Sequence, residues 1–290
     1  MQRINDLPPL PARPADGHKG TFGRVLMIAG SRGMSGAAIL SGTAALRSGA
    51  GLVYIAVPEN ILPIVAGFEP SYLTVPLTED GDGRIAESAT EQLRDRITSM
   101  DAIAIGPGLG QSDGLENLVS ELYRKTSQPL VVDADALNLL ARSPSQLTQH
   151  DGPRVLTPHP GEFERLTGKK VGTDQSSREQ AAMQFATDHE VVLVLKGPGS
   201  IITDGERIAV NTTGNSGMAT GGTGDVLTGI ITSLLAQGML PFEAAHVGTH
   251  VHGHAGDMVA DECGERGMIA SDLIEGLCLA WIAIDDHSDD

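Results

Sequence analysis

VVLVLKGPGSIITDGERIAVNTTGNSGMATGGTGDVLTG, residues 191–229, contains the change of rhythm that decides the fold. VVLVLKG (191–197) is apolar almost throughout, as expected of a strand buried on both faces of a parallel sheet. SIITDGERIAVN (200–211) then reads as two short strands turning at Asp204-Gly205, a hairpin signal. Next comes TGGTGD, where three glycines crowd one side of a single aspartate, and a helical pattern follows at once.

Upstream of this stretch, apolar runs recur at VLMIAG (25–30), VYIAV (53–57), AIAIGPG (102–108), LVVDAD (130–135) and VLTPHPGE (155–162). Helical segments such as SGAAILSGTAALRSGAG (35–51) and ESATEQLRDRI (87–97) lie between them. Downstream, three more helices are expected at about 223–237, 243–262 and 269–284. Strand alternating with helix predicts a doubly wound α/β sandwich, a mostly parallel central sheet with a terminal hairpin and helices on both faces. The 290 residues suit one such domain over 1–290, with the proline-rich start, residues 1–17, expected to be flexible.

Composition narrows the function. A formal net charge of −17 repels phosphate backbones and anionic lipid, so neither nucleic acid nor a membrane is expected as a partner. A pocket inside such a protein can still be locally positive. The N-terminus has no apolar core of a secretion signal, and no run approaches membrane-spanning length. Cys263 and Cys278 lack metal-ligand spacing and read as reduced core thiols, so a cytoplasmic location is expected. Glycine is abundant, at 36 residues, and aromatics are only 3%, so aliphatic side chains must build the core.

In a parallel sheet the ligand lies beyond the carboxyl ends of the strands. Gly106, Pro107, Gly108, Asp133, Asp135, His159, Glu162, Lys196 and Gly197 all follow apolar runs, which points to a single site. The glycines of TGGTGD expose backbone N–H groups, and the helix they open carries partial positive charge at its start. Together they make an anion cradle suited to a phosphoryl group. The stretch is neither a Walker A loop nor G-x-G-x-x-G. The bland alternative is that Asp225 merely favours the helix dipole and the glycines serve a tight turn. For Lys196 a nucleotide contact is preferred over a solvated lysine, because the preceding strand points it toward the active face. Glu162 could serve a metal or the helix dipole, and for Asp133 and Asp135 a helix-cap role is preferred over water-mediated magnesium.

TGGTGD resembles the anion-hole motif of the ribokinase-like superfamily. NTTGNSGMATGGTGDVLTG (211–229) is narrower. It occurs in order with HKGTFGRVLMIAGS (18–31), GAAILSGTAALRSGAG (36–51), AIGPGLG (104–110), VVDADALN (131–138) and LTPHPGEFERLTG (156–168). The set resembles the ADP-dependent NAD(P)H-hydrate dehydratases, metabolite-repair lyases, from about residue 18 to residue 276.

The resemblance implies that Asp225 is the catalytic base and that Gly222, Thr223 and Gly224 form the anion hole. It implies nucleotide (AMP/ADP) binding by Lys196, Gly197, Pro198, Gly199, Ser200 and Gly224. Contacts to the NAD(P)H hydrate fall to Ala37, Ala38, Gly108, His159 and Asp225. Mg2+ and the co-substrate ADP are expected, with Glu162 reaching the metal through water. A homotetramer and a separate epimerase as functional partner also follow from the resemblance. Rival readings are a small-molecule kinase of the same fold, of hydroxyethylthiazole or sugar type, and a non-catalytic nucleotide-binding protein. His246, His250 and His254 share a helix face, but without HExxH or a cysteine at ligand spacing packing accounts for them better than zinc.

Overall fold

A computed structural model describes residues 2–287. Chain order is β1 (Gln2–Arg3), β2 (Arg24–Ile28), α1 (Ser35–Arg47), β3 (Leu52–Pro58), α2 (Leu62–Ala66), β4 (Leu73–Leu77), α3 (Ala89–Ile97), β5 (Ala102–Ile105), α4 (Asp113–Lys125), β6 (Leu130–Val132) and α5 (Ala134–Leu140). It continues with β7 (Arg154–Leu156), α6 (Pro160–Thr167), α7 (Gln175–His189), β8 (Val192–Leu195), β9 (Ile201–Thr203), β10 (Arg207–Val210), α8 (Thr223–Ala236), α9 (Pro241–Cys263) and α10 (Ala270–His287). Among the described residues these strands form one sheet in the order β1-β10-β9-β8-β7-β6-β5-β2-β3-β4.

The strands from β8 across to β4 are parallel, and β9 runs antiparallel to both β8 and β10. The hairpin therefore stands where the sequence predicts it. Asp204 closes the turn by accepting from the N–H groups of Glu206 and Arg207, with Gly205 at φ +91°.

Alternate side chains of each central strand enter opposite layers. Val25 and Met27 face a core covered by α1, α8, α9 and α10, whereas Leu26 and Ile28 face one covered by α3 to α7. Both faces are dry, which is why the strand sequences are apolar throughout rather than alternating. Small residues set the closest approach. A Cβ on Gly229 of α8 would lie 2.2 Å from the Ser41 carbonyl of α1, so the two helices cross nearly backbone to backbone.

Three expectations need correction. Within the start expected to be flexible, residues 2–10 are anchored: β1 extends the sheet beside β10, and Ile4, Leu7 and Leu10 pack on the core. The polar composition hides those three apolar anchors. Cys263 is exposed at the end of α9 and Cys278 only partly buried, so they are not core thiols. β4, not anticipated, is an edge strand with Leu73 41% exposed and Pro76 within it. Pro lacks the N–H a central strand needs, which an edge tolerates.

Candidate active site

The order of the sheet reverses between β2 and β5, since β2 leads to β3 on its other side, and this switch point opens a crevice at the strand ends. The turns after β2 and β5 meet there. Gly30 N–H donates to the Pro107 carbonyl at 2.7 Å, and Ser31 Oγ donates to the Gly108 carbonyl at 2.8 Å. Gly106, at φ +132°, passes so close to β6 that a Cβ would sit 1.8 Å from the Asp133 carbonyl oxygen. Gly108 lies against Ala37, with 2.8 Å between a built Cβ and the Ala37 methyl, so two of the expected hydrate contacts meet. Ala38 is fully buried beside Gly30.

Asp133 occupies the N-cap position of α5 but makes no cap bond with its side chain. Instead its carboxylate turns inward, 1% exposed, and accepts from Lys196 Nζ at 2.8 Å and from Thr228 Oγ1 at 2.9 Å. The next residue, Ala134, takes φ +50°, a left-handed conformation that costs a non-glycine residue on the order of 1 kcal/mol or more. The preferred cap reading is thus replaced by a buried ion pair. Asp135 does not cap α5 either: its Oδ2 accepts from the Gly110 N–H, tying the β6 and β5 turns together. Burial opposes the Lys196 charge, but the carboxylates of Asp133 and Glu162 outweigh it and raise the lysine pKa.

Above this pair begins α8. Gly222, at φ +96°, precedes it, and a Cβ there would collide with Leu40 Cδ1 at 2.5 Å. Gly224 sits over the ion pair, its built Cβ 3.2 Å from Lys196 Nζ and 3.6 Å from Asp133 Oδ2. Asp225 is the third residue of the helix. Its pKa is pushed up to about 7 by burial first and by the Asp133 charge second, with Lys196 opposing and Asp135 and Glu162 adding. A carboxylate that exchanges its proton near neutral pH is matched to general-base work.

His159 caps α6 through a reciprocal box: its Nδ1 accepts from the Gly161 and Glu162 N–H groups, and Glu162 Oε2 accepts from the His159 N–H at 2.8 Å. Nδ1 is therefore unprotonated and the neutral ring carries its hydrogen on Nε2. Burial, then the nearby Lys196 and Arg165 charges, lower the His159 pKa and keep the ring neutral. Glu162 is itself buried, which raises its pKa. It spends one oxygen on the cap, so the helix-start role is what the geometry displays.

A cavity of about 840 Å³ adjoins the ion pair, lined by the 196–200 turn, the 210–219 loop, Thr223, Gly224 and His252. All the expected nucleotide contacts, Lys196 to Ser200 with Gly224, lie in its wall. Arg178 fixes the turn by donating to the Pro198 carbonyl at 2.7 Å. The loop docks on α9: Thr213 Oγ1 donates to the His250 carbonyl, Asn215 Nδ2 to the Gly256 carbonyl, and Asp257 Oδ2 accepts from the Gly214 N–H. His252 Nε2 donates to the Thr223 carbonyl at 2.9 Å, and burial first lowers its pKa to about 4, so it is neutral. Neither this loop nor His252 was assigned a ligand role from sequence; the run of Thr, Gly and Asn at 211–215 was the available signal. Among the described residues no three His, Cys, Asp or Glu side chains are grouped to hold a metal, so the α9 histidines form no such site.

Comparison with known proteins adds the family. The NAD(P)H-hydrate dehydratase family model matches residues 25–278. The bifunctional NAD(P)H-hydrate repair enzyme Nnr of Moorella thermoacetica is 46% identical over 270 residues, which cover 92% of this chain and 51% of that protein. The chain thus spans about half the length of the curated relatives it matches. The ADP/ATP-dependent NAD(P)H-hydrate dehydratase of Bacillus subtilis, co-crystallised with ATP and Mg2+, superposes with a TM-score of 0.81 at 35% identity and 94% coverage of both chains. A ribokinase-like superfamily protein of Enterococcus faecalis gives a TM-score of 0.78 at 28% identity, covering 93% of this chain and 90% of that one. With a ribokinase-like fold, an aspartate at a glycine-lined helix start and a family match across most of its length, this chain belongs to the NAD(P)H-hydrate dehydratase family.

Proposed function

We propose that this protein restores NAD(P)H from the S-epimer of its hydrate at the expense of ADP, releasing AMP and phosphate. The observation that carries the reading is Asp225, a base tuned near neutrality at the mouth of an anion cradle and beside a nucleotide-sized cavity. Asp225 accepts the proton of the C6 hydroxyl, and the oxygen attacks the β-phosphorus of ADP as the bond to AMP breaks. The C6–O bond then cleaves with loss of phosphate, and a proton leaves the adjacent ring carbon to restore the double bond. Hydroxide, a poor leaving group, is thereby replaced by phosphate.

The Gly222, Thr223 and Gly224 amides stabilise charge on the transferred phosphoryl, where one lost donor is typically worth about 3 kcal/mol. Lys196 and the 197–200 turn hold the nucleotide phosphates, while His159, Ala37 and Gly108, with the backbone at Ala38, bound the reduced ring. Magnesium keeps several waters and rides mainly on phosphates, so a site with scattered carboxylates suits it; Glu162, through water, would hold it and it would neutralise phosphate charge. The curated relatives are bifunctional repair enzymes, and we take a separate epimerase as this chain's partner in supplying the S-epimer. A homotetramer remains the proposed assembly. No helix of the described residues is long and apolar enough to cross a membrane, and the acidic chain accords with the cytoplasmic assignment.

The test is to follow phosphate release and recovery of reduced-nicotinamide absorbance together, with Mg2+ and either ADP or ATP. Coupled signals support the reading, and a faster rate with ADP fixes the co-substrate. Phosphorylation of another alcohol, with no absorbance recovery, would move the protein to the kinase reading.

A further inference from the structure

A second cavity, of about 470 Å³ and open to solvent, is lined by Gln111, Asn138, Ala141, Arg142 and Arg165. Gln111 follows the β5 turn that carries Gly108, and Arg165 stands on the helix that His159 caps. Arg165 is near enough for its charge to bear on both His159 and Glu162.

Among the described residues, Arg165 is an exposed side chain of α6 whose guanidinium is not neutralised by a carboxylate. Three other cations about the crevice are ion-paired, Lys196 with Asp133, Arg84 with Asp80 and Asp82, and Arg32 with Glu79, while Arg178 at the 196–200 turn donates to carbonyls. Arg142 reaches Asp113 and Glu116 only at 3.5 and 3.4 Å. Among the described residues Arg165 has no carboxylate within ion-pair distance, and the partner found for it is Asn138 Oδ1 at 2.8 Å.

The amides are oriented to match. Asn138 turns its oxygen to Arg165, and Gln111 turns its oxygen to Arg142 at 3.1 Å. Both amide oxygens are thus taken up by the arginines, and the two guanidinium groups supply donors to the polar lining. Such a set recognises a multiply charged oxyanion.

The nucleotide cavity lies on the side of Asp225 that carries Lys196. A dinucleotide whose reduced ring reached Asp225 past His159 would carry its phosphates outward from His159, on which the Arg165 charge acts. We propose that this cavity is a phosphate subsite for the substrate's remote half, with Arg165, backed by Arg142, binding the group. The assignment rests on the hydrate reading of the main site. Two phosphates carry the same chemistry, the pyrophosphate common to both dinucleotides and the 2′-phosphate of the NADP form.

NADPH and NADH, which carry these phosphates and need no turnover, are the probes. Fluorescence titration compares the wild-type protein with Arg165→Gln and Arg142→Gln, melting temperature confirming that each variant is folded. The expected result is binding at least tenfold weaker in Arg165→Gln, with a smaller loss in Arg142→Gln. A loss confined to NADPH identifies the 2′-phosphate, and an equal loss for both identifies the pyrophosphate. Unchanged affinities in Arg165→Gln, or a wild-type protein that binds neither dinucleotide, overturn the subsite. Failure of the hydrate reading shows separately, as absence of absorbance recovery in wild-type turnover.

Discussion

At the scale of single residues, Asp225 joins function to cost. A base must be ionised to take a proton, so log kcat/KM should fall with decreasing pH below about 7. A profile flat to pH 5 would contradict the assignment. Asp225→Asn keeps the shape but removes the base, and turnover should drop about 10²- to 10⁴-fold. The same substitution bears on stability. Because the folded pKa lies above the unfolded one, the folded state binds more protons between about pH 4 and 7, and stability associated with Asp225 is lost as pH rises through that window. Asp225→Asn should therefore melt higher than wild type at pH 8, the gap narrowing as pH falls and closing at about pH 4. A lower melting point at pH 8 would show that the carboxylate stabilises the fold. Asp133 shows what sequence could not convey at this scale. Whether it caps a helix or turns inward depends on the Ala134 conformation and on Lys196 and Thr228, far along the chain.

At the scale of elements, the start of α8 is held from below by the Lys196–Asp133 pair, from behind by α1 and from the side by His252 of α9. Its glycines differ in what substitution would do. A methyl on Gly224 meets the flexible end of Lys196, so Gly224→Ala should fold, with a melting temperature near wild type, yet lose more than tenfold in kcat as the anion cradle narrows. A methyl on Gly106 meets backbone in a left-handed conformation, and Gly106→Ala should lose about 4 kcal/mol of stability, measurable by denaturant titration. If the two variants behaved alike, the distinction between ligand room and packing room would fail. His252→Ala should lower kcat more than nucleotide affinity, since it positions the helix start and leaves the 196–200 turn intact. Elements whose strands are dry on both faces were legible in their uninterrupted apolar runs. β4 was not, because half of it faces solvent at the sheet edge, and β1 is only two residues long.

At the scale of the whole molecule, the sheet order makes one crevice of loops that are distant in sequence, and strand-end residues were readable for that reason. The nucleotide loop at 210–219 was harder to read, because its shape is imposed by α9, some forty residues later. In a chain of net charge −17 the crevice brings Lys196 among the carboxylates of Asp133, Glu162 and Asp225, so a phosphate there relies on the lysine, the backbone amides of the α8 start and a counter-ion. Ligand binding should register globally: ADP at about 100 times its Kd adds roughly 2.7 kcal/mol. The melting temperature should then rise by several degrees, and no rise would argue against a nucleotide site.

The central claim is that phosphoryl transfer to the substrate hydroxyl drives the dehydration. The most direct measurement is single-turnover reaction of NADPH hydrate labelled with oxygen-18 at the C6 hydroxyl, in the presence of ADP and Mg2+, with mass analysis of the phosphate. The mechanism predicts that the label appears in phosphate. Unlabelled phosphate, with the heavy oxygen released as water, would mean that the hydroxyl departs directly and that Asp225 has another role.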